Sequence, residues 1–159
     1  MMDRMASRSR SEQGQADAGR EAWVLMFRML QANMGAVQAV WRQFELTGPQ
    51  AHLLQRLGPD EMLPMNGLAG ALDCQPSNVT GLVDKLEARG LIERRSEPGD
   101  RRVKMIALTA AGRRFRAQLL ERLSEPPPFI TSLSAEDKGA LLQLLQRAAA
   151  KLMSSDPGI

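Results

Sequence analysis

The chain has 159 residues, of which 43% are hydrophobic and 25% are charged, a composition typical of a globular domain with an ordinary core. One cysteine excludes an intrachain disulfide, and one cysteine with one histidine cannot form a Cys/His metal cluster within a single subunit. We therefore expect no cofactor and no metal. The longest apolar run, residues 22–27, is far shorter than the roughly 20 residues that span a bilayer, and no signal-peptide core follows the N-terminal arginines. These two observations predict a cytoplasmic protein.

Positive charge is concentrated in one segment of the chain. Residues 89–116 contain nine basic and three acidic residues, a net charge of +6, and because the whole chain carries +3, the remaining residues carry −3. Such a cluster is expected of a protein that neutralises phosphates, although a solvated charged surface is the plain alternative.

The N-terminal region is predicted to be a disordered arm followed by a long helix. Residues 1–18 show no apolar period, whereas from residue 19 to 46 apolar side chains recur at spacings of three and four. This stripe, which is usually core, consists of Trp23, Phe27, Leu30, Met34, Val37, Trp41 and Phe44. Thr47 and Pro49 then begin a second, short helix that ends near Leu57 and carries His52, which we interpret as a surface residue.

The segment after this helix predicts a short edge strand over residues 62–65 and a short helix over 66–72. Gly67 and Gly70 weaken the helix, because each costs about 1 kcal/mol relative to alanine in a helix interior. Cys74 lies in the turn that follows. A buried, inert thiol is the simpler interpretation of this residue, and a redox switch is the alternative.

Residues 76–89 predict one amphipathic helix. Pro76 suits the first helical position, and Gly90 supplies the left-handed residue that commonly follows a helix C-terminus. Its apolar stripe consists of Val79, Leu82, Val83 and Leu86. The other side of the helix carries small and hydrogen-bonding residues, namely Ser77, Thr80, Gly81, Asp84 and Lys85, with Asn78 and Arg89 on its flank.

A β-hairpin and two further helices complete the chain. Residues 91–95 and 102–108 predict two strands around a turn, and Thr109 caps a helix that continues to residue 124. Three prolines, residues 126–128, end it, and a final helix begins at the cap Ser134. Its leucine stripe through Leu152 is too apolar to remain exposed, so we expect the terminal helices to pair with a second subunit.

Three segments of the chain carry a family resemblance: residues 85–92 (KLEARGLI), 94–102 (RRSEPGDRR) and 107–112 (ALTAAG). In this order they resemble the winged helix-turn-helix of the MarR family of bacterial transcription regulators, and the similarity covers roughly residues 20–150. It implies a mainly α fold with a small β-hairpin wing. The implied domains are a disordered arm (1–18), an N-terminal dimerisation helix (19–46), the DNA-binding winged helix-turn-helix (47–112), C-terminal helices that complete the dimerisation region (113–153) and a flexible tail (154–159).

The resemblance also implies a function: a repressor that binds a pseudo-palindromic operator in double-stranded DNA as a homodimer and is released by a small aromatic or phenolic effector. Its DNA-binding residues are Ser77, Asn78, Thr80, Gly81, Lys85, Arg94, Arg95, Asp100, Arg101, Arg102 and Lys104. Asp84 is assigned to a salt bridge or a cytosine-edge contact, and Asp100 to holding a neighbouring arginine. The effector residues are Trp23, Phe27, Trp41 and His52. The alternatives are a sequence-independent DNA-binding protein and a redox-responsive regulator acting through Cys74; an enzyme is not expected, because no catalytic constellation occurs.

Overall fold

A computed structural model describes the backbone of residues 2–72, 76–97 and 100–155, and the side chains of residues 17–65, 67–70, 72, 78–96 and 103–154. The chain divides into two compact units, Met1–Leu123 and Ser124–Ile159. The prediction of a mainly helical chain with a small antiparallel sheet is confirmed. None of the helices in the described part of the chain combines the length and apolar character needed to cross a membrane.

The first helix, α1 (Met2–Gln43), is much longer than the sequence predicted. Its backbone is helical from residue 2, whereas the sequence predicted a disordered arm over residues 1–18. The physical reason is that no proline interrupts this segment, and extending an existing helix adds a hydrogen bond for each residue fixed without a new nucleation cost. Forty-two residues correspond to a rod of about 63 Å.

The turn after α1 leads directly into α2 (Gly48–Arg56). Glu45 takes a left-handed conformation with φ of 54°, and the amide of Leu46 donates to the carbonyl of Trp41 at 2.8 Å. The amide of Thr47 donates to Oε1 of Gln50 at 2.9 Å, which fixes the start of α2. The leucines of this helix face inward, as predicted: Leu53, Leu54 and Leu57 are fully buried.

A three-stranded antiparallel sheet follows, with β1 (Met62–Pro64), β2 (Ile92–Glu97) and β3 (Asp100–Leu108) in the order β1-β3-β2. The predicted edge strand is therefore confirmed, and both hairpin strands are longer than predicted. Leu63 lies opposite Ile106, and Ile92 lies opposite Leu108. Because side chains alternate across a strand, one face of β3 places Ile106 and Leu108 in the core.

The two helices before the hairpin differ in length. A 3₁₀ turn (Met65–Gly67) leads into α3, which is only four residues long (Leu68–Ala71), in agreement with the weakness that its glycines predict. The second, α4 (Pro76–Ala88), matches its prediction closely, and Gly90 after it has the expected left-handed φ of 67°. Residues 73–75, including Cys74 and both of its interpretations, lie outside the described residues.

Helix α5 (Ala110–Leu123) packs against the rest of the first unit and closes its core. The hydroxyl of Thr109 accepts a hydrogen bond from the amide of Gly112 at 2.9 Å, so the predicted cap is confirmed. Gly112 is buried against Leu91, the residue that precedes β2: a Cβ built on it would lie 1.8 Å from the carbonyl oxygen of Leu91. The first compact unit extends to residue 123, and the domain bounds that the family resemblance implies stay predictions.

The second unit contains α6 (Pro128–Thr131), a short helix that the sequence did not predict, and α7 (Ala135–Ser155). The amide of Asp137 donates to the hydroxyl of Ser134 at 3.0 Å, which confirms the predicted cap. Leu142, Leu145 and Leu152 of α7 are exposed within the described chain.

Candidate nucleic-acid interface

Helix α4 presents two faces of different chemistry. Val79, Val83 and Leu86 are buried in the core, as the apolar period predicted. The exposed residues Asn78, Thr80, Gly81, Asp84 and Lys85 belong to the other face. A Cβ built on Gly81 would have nothing within 4 Å, so the backbone of α4 is open to approach there. This face is narrow and hydrogen-bonding, as a groove-reading helix requires.

Arg94, in strand β2, joins this helix to the hairpin. Its guanidinium forms ion pairs with Asp84 and Glu87 of α4, and its backbone amide donates to Oε1 of Glu87 at 3.2 Å. The hydrogen bond to Asp84 and the charges of both carboxylates raise the pKa of Arg94 above its ordinary value, against the effect of burial, so the guanidinium stays charged. Asp84 thus adopts the salt bridge that was one of its two assigned roles.

The neighbouring basic residues of the hairpin are more exposed. Arg95 binds Glu93 on its own strand, with Nε to Oε1 at 3.1 Å, and its side chain is 54% exposed. Lys104 is exposed and lies 3.4 Å from the hydroxyl of Ser96. The side chains of Ser77, Asp100, Arg101 and Arg102 lie outside the described residues, so their assigned roles, including the choice of Asp100 as the partner of an arginine, stay predictions.

Three other arginines of the basic segment, residues 89–116, donate hydrogen bonds to backbone carbonyls. Arg89 donates to the carbonyls of Glu45 at 2.9 Å and Phe44 at 3.0 Å, and it stacks over the ring of Phe115 at 5.3 Å. Similar bonds run from Arg113 to the carbonyl of Leu108, and from Arg116 to the carbonyls of Leu54 and Gln55. The charge cluster seen in the sequence therefore combines scaffold residues with residues available to a partner.

The composition of the basic segment did not distinguish these three structural arginines from the basic residues that are available to a partner. Arg89 had one positional signal, because basic residues at the end of a helix often bind nearby free carbonyls. The partner of Arg116 lies 62 residues away along the chain, and no local pattern indicates such a bond.

The four residues assigned to an effector do not form one cluster in the chain. Trp41 and His52 contact each other edge to face, with ring centroids 5.3 Å apart. Trp23 is 61% exposed and lies 18 residues before Trp41 on the same helix, which corresponds to about 27 Å. Phe27 is also exposed, about 21 Å from Trp41 along the axis. A single small molecule therefore cannot contact all four within one subunit.

Trp41 has one further feature. Within the part of the chain that the structure describes, its indole Nε1 is the buried side-chain polar atom that has no hydrogen-bond partner. An unpaired buried donor costs about 1–3 kcal/mol. Among the described residues, no three His, Cys, Asp or Glu side chains lie close enough together to hold a metal ion.

Comparison with known proteins places this geometry in a family. The model of the MarR family matches residues 46–104. The uncharacterized HTH-type transcriptional regulator YfiV of Bacillus subtilis (strain 168) is 31% identical over 134 residues, which cover 81% of this chain and 83% of that protein. A mutant of MepR from S. aureus is 27% identical, with a TM-score of 0.67 over 80% of this chain and 96% of that one. Another MepR mutant, solved bound to an oligodeoxyribonucleotide, is 25% identical, with a TM-score of 0.57 over 82% of this chain and 97% of that one. From the family match and the similarity to YfiV, we conclude that this chain belongs to the MarR family and is a DNA-binding transcriptional regulator.

Proposed function

We propose that the protein is a repressor that binds a pseudo-palindromic operator as a homodimer and is released from it by a small aromatic or phenolic effector. The observation that carries this proposal is the two-faced helix α4, whose apolar side is buried and whose exposed side carries Asn78, Thr80 and Gly81. A DNA-bound MepR mutant among the structural relatives supports the assignment of this face to DNA.

Helix α4 is proposed to read bases in the major groove. A helix of about 10–12 Å diameter fits that groove, where each base pair displays a distinct set of donors and acceptors. Asn78 and Thr80 are exposed and supply side-chain donors and acceptors, and Gly81 allows close backbone approach. Lys85, which is also exposed, is assigned to a phosphate.

The hairpin is proposed to lie along the flanking minor groove. Arg95 and Lys104 are exposed on its strands and suit phosphate contacts. By family resemblance, Arg101 enters the groove, where narrow A·T-rich sequence concentrates negative potential, Asp100 positions a neighbouring arginine, and Arg102 contacts phosphate. The expected cost of Arg101→Ala is about 1–3 kcal/mol of operator affinity, the scale of one groove contact.

Two sets of exposed apolar side chains support the homodimer. On α1, the exposed large hydrophobics run from Trp23 to Met34, and on α7 they run from Leu142 to Met153. Apolar patches of this kind mark interaction sites in proteins that are otherwise water-exposed. Two reading helices in a two-fold dimer would then contact half-sites about 10 base pairs apart.

The effector is proposed to bind beside Trp41 and His52. The unpaired Nε1–H of Trp41 offers a donor to a phenolate or carboxylate oxygen, and the two aromatic rings offer an apolar wall. Trp41 lies near the end of α1, and Arg89 links that end to the end of α4. An occupant here is therefore positioned to shift α4 relative to α1 and so disfavour the DNA-compatible state.

The experiment that tests the function is a gel shift with DNA from the region upstream of the protein's own gene, against scrambled competitor at near-physiological salt. We expect a discrete complex that survives the competitor. Asn78→Ala and Thr80→Ala should then change sequence preference, whereas Lys85→Ala should weaken binding equally on all sequences. A smear that the competitor abolishes, with equal loss of affinity in all three variants, would refute sequence-specific binding and favour the sequence-independent alternative.

A further inference from the structure

Strand β2 alternates between two faces that have different partners. Arg94 lies on the same face as the buried Ile92, toward α4, whereas Arg95 and Glu93 lie on the opposite face. The side chain of Arg94 is 28% exposed, about half the exposure of Arg95. Two adjacent arginines therefore occupy unlike environments, although the sequence shows them as one basic pair.

The partners of Arg94 lie one turn apart on α4. Asp84 and Glu87 are separated by three residues, a spacing that places both carboxylates on one side of a helix. One guanidinium bonds to both, and the amide of Arg94 also donates to Glu87 at 3.2 Å. Three contacts from one residue thus fix the hairpin to the helix that reads DNA. An arginine suits this position because its planar fork can serve two carboxylates at once, which a lysine ammonium cannot do with the same geometry.

The charge of these carboxylates matters at a DNA surface. The side chain of Asp84 is 56% exposed, and it belongs to the exposed face of α4 that also carries Lys85. Without Arg94, Asp84 and Glu87 would be two negative charges on the proposed DNA-reading helix, with Lys85 as the one neighbouring cation on α4 among the described residues. Arg94 and these two carboxylates together carry a net charge of −1, whereas the more exposed Arg95 and its partner Glu93 form a neutral pair, so a phosphate is favoured at Arg95 over Arg94.

We propose that Arg94 is a positioning residue for DNA binding and not a phosphate ligand: it holds the hairpin against α4 and screens Asp84 and Glu87 from the DNA. This inference rests on the proposed function, and it separates Arg94 from the phosphate-contacting role that Arg95 keeps. The hairpin and α4 then reach the DNA as one rigid unit, and the register between groove-reading helix and wing is set by this ion-pair cluster.

The test compares five variants of the full chain, one of them Asp84→Asn with Glu87→Gln in an otherwise wild-type chain, by fluorescence anisotropy on a labelled duplex from the region upstream of its own gene. Arg94→Met and Arg94→Lys should each weaken binding by about tenfold, the coupling scale of a charge pair. Asp84→Asn with Glu87→Gln, introduced into the Arg94→Met background, should recover about threefold of this loss, since the charges that needed screening are gone while the tie between the hairpin and α4 is still missing. The matched control Arg95→Met should reduce the slope of log K against log salt by about one, as a phosphate contact does.

Results of the opposite kind would overturn the proposal. If Arg94 binds phosphate, Arg94→Lys keeps most of the affinity, and removing the two carboxylates gives no more gain in the Arg94→Met background than in wild type. A second measurement needs no DNA: hydrogen exchange of the amides of residues 92–97 should be faster in both Arg94 variants than in wild type and unchanged in Arg95→Met. Unchanged exchange in the Arg94 variants would refute the positioning role. If wild type binds no DNA, the proposed function fails, and the exchange result still decides the role of Arg94.

Discussion

The contact between α5 and Leu91, at the start of the segment that forms β2, allows a sharp test of the fold through the substitution Gly112→Ala. The added Cβ would lie 1.8 Å from the carbonyl oxygen of Leu91, 2.8 Å from its carbonyl carbon and 3.3 Å from Cδ2 of Leu108. Backbone atoms cannot rotate away as the end of a side chain can. The two elements must therefore separate by more than 1 Å, a distance of the order that overpacking in rigid cores produces.

The expected magnitude follows from what this separation disrupts. The amide of Thr109 donates to the carbonyl of Leu91 at 3.1 Å, and the hydroxyl of Thr109 donates to the carbonyl of Gly90, the residue before Leu91, at 2.6 Å. Each such bond contributes about 1 kcal/mol, and overpacking adds about 1–3 kcal/mol, while the higher helix propensity of alanine offsets about 1 kcal/mol. The net loss in the free energy of unfolding is about 2–4 kcal/mol, which lowers Tm by about 5–15 °C for a chain of this size.

The assay is thermal and urea unfolding followed by circular dichroism at one fixed protein concentration, since a dimer has concentration-dependent stability. The matched control is Gly81→Ala, because its Cβ meets nothing within 4 Å and the change should raise the free energy of unfolding by about 0.5–1 kcal/mol. If Gly112→Ala unfolds within 2 °C of wild type, or shifts in the same direction as Gly81→Ala, the close contact between α5 and Leu91 does not exist as described.

Four other predictions concern DNA, the scaffold, the effector and assembly. Gly81→Ala, although more stable, should bind operator about tenfold more weakly in a gel shift, because the methyl group blocks backbone approach; equal affinity would contradict the groove assignment. Arg89→Met should lower the free energy of unfolding by about 1–2 kcal/mol, since its bonds to two carbonyls are lost but lie at an exposed site, and an unchanged urea midpoint would show that they contribute nothing. Trp41→Phe keeps an aromatic ring but removes the unpaired Nε1–H. A phenolic anion such as salicylate that binds wild type in calorimetry should therefore bind this variant about fivefold or more weakly. Unchanged binding would place the effector elsewhere. Leu145→Glu should yield monomers or aggregates in light scattering, whereas the control Gln143→Glu, on the opposite side of α7, should leave a dimer. A dimer in both variants would exclude the face of α7 that carries Leu145 from the interface.

Local signals determined most of the DNA-binding unit. Pro76 and Gly90 mark the two ends of α4, and Thr109 caps α5. In the second unit, Ser134 caps α7 in the same way. In each case the structure places the helix end where the signal predicted it. These signals succeed because a helix terminus is set by interactions within about four residues. The exposed face of α4 followed from the same short-range period.

The sequence by itself determined the order and type of the elements except α6 and the first part of α1, because helix period, strand alternation and caps depend on neighbours along the chain. Only the tertiary structure decided which side chains of one pattern become core: Trp23 and Trp41 belong to the same stripe, yet Trp41 is buried and Trp23 is 61% exposed. It also decided the role of each basic residue, since Arg89 binds carbonyls 44 and 45 residues away and Arg94 binds carboxylates on another element. Partners so distant in sequence are brought within bonding distance by packing alone, and no local period encodes that packing.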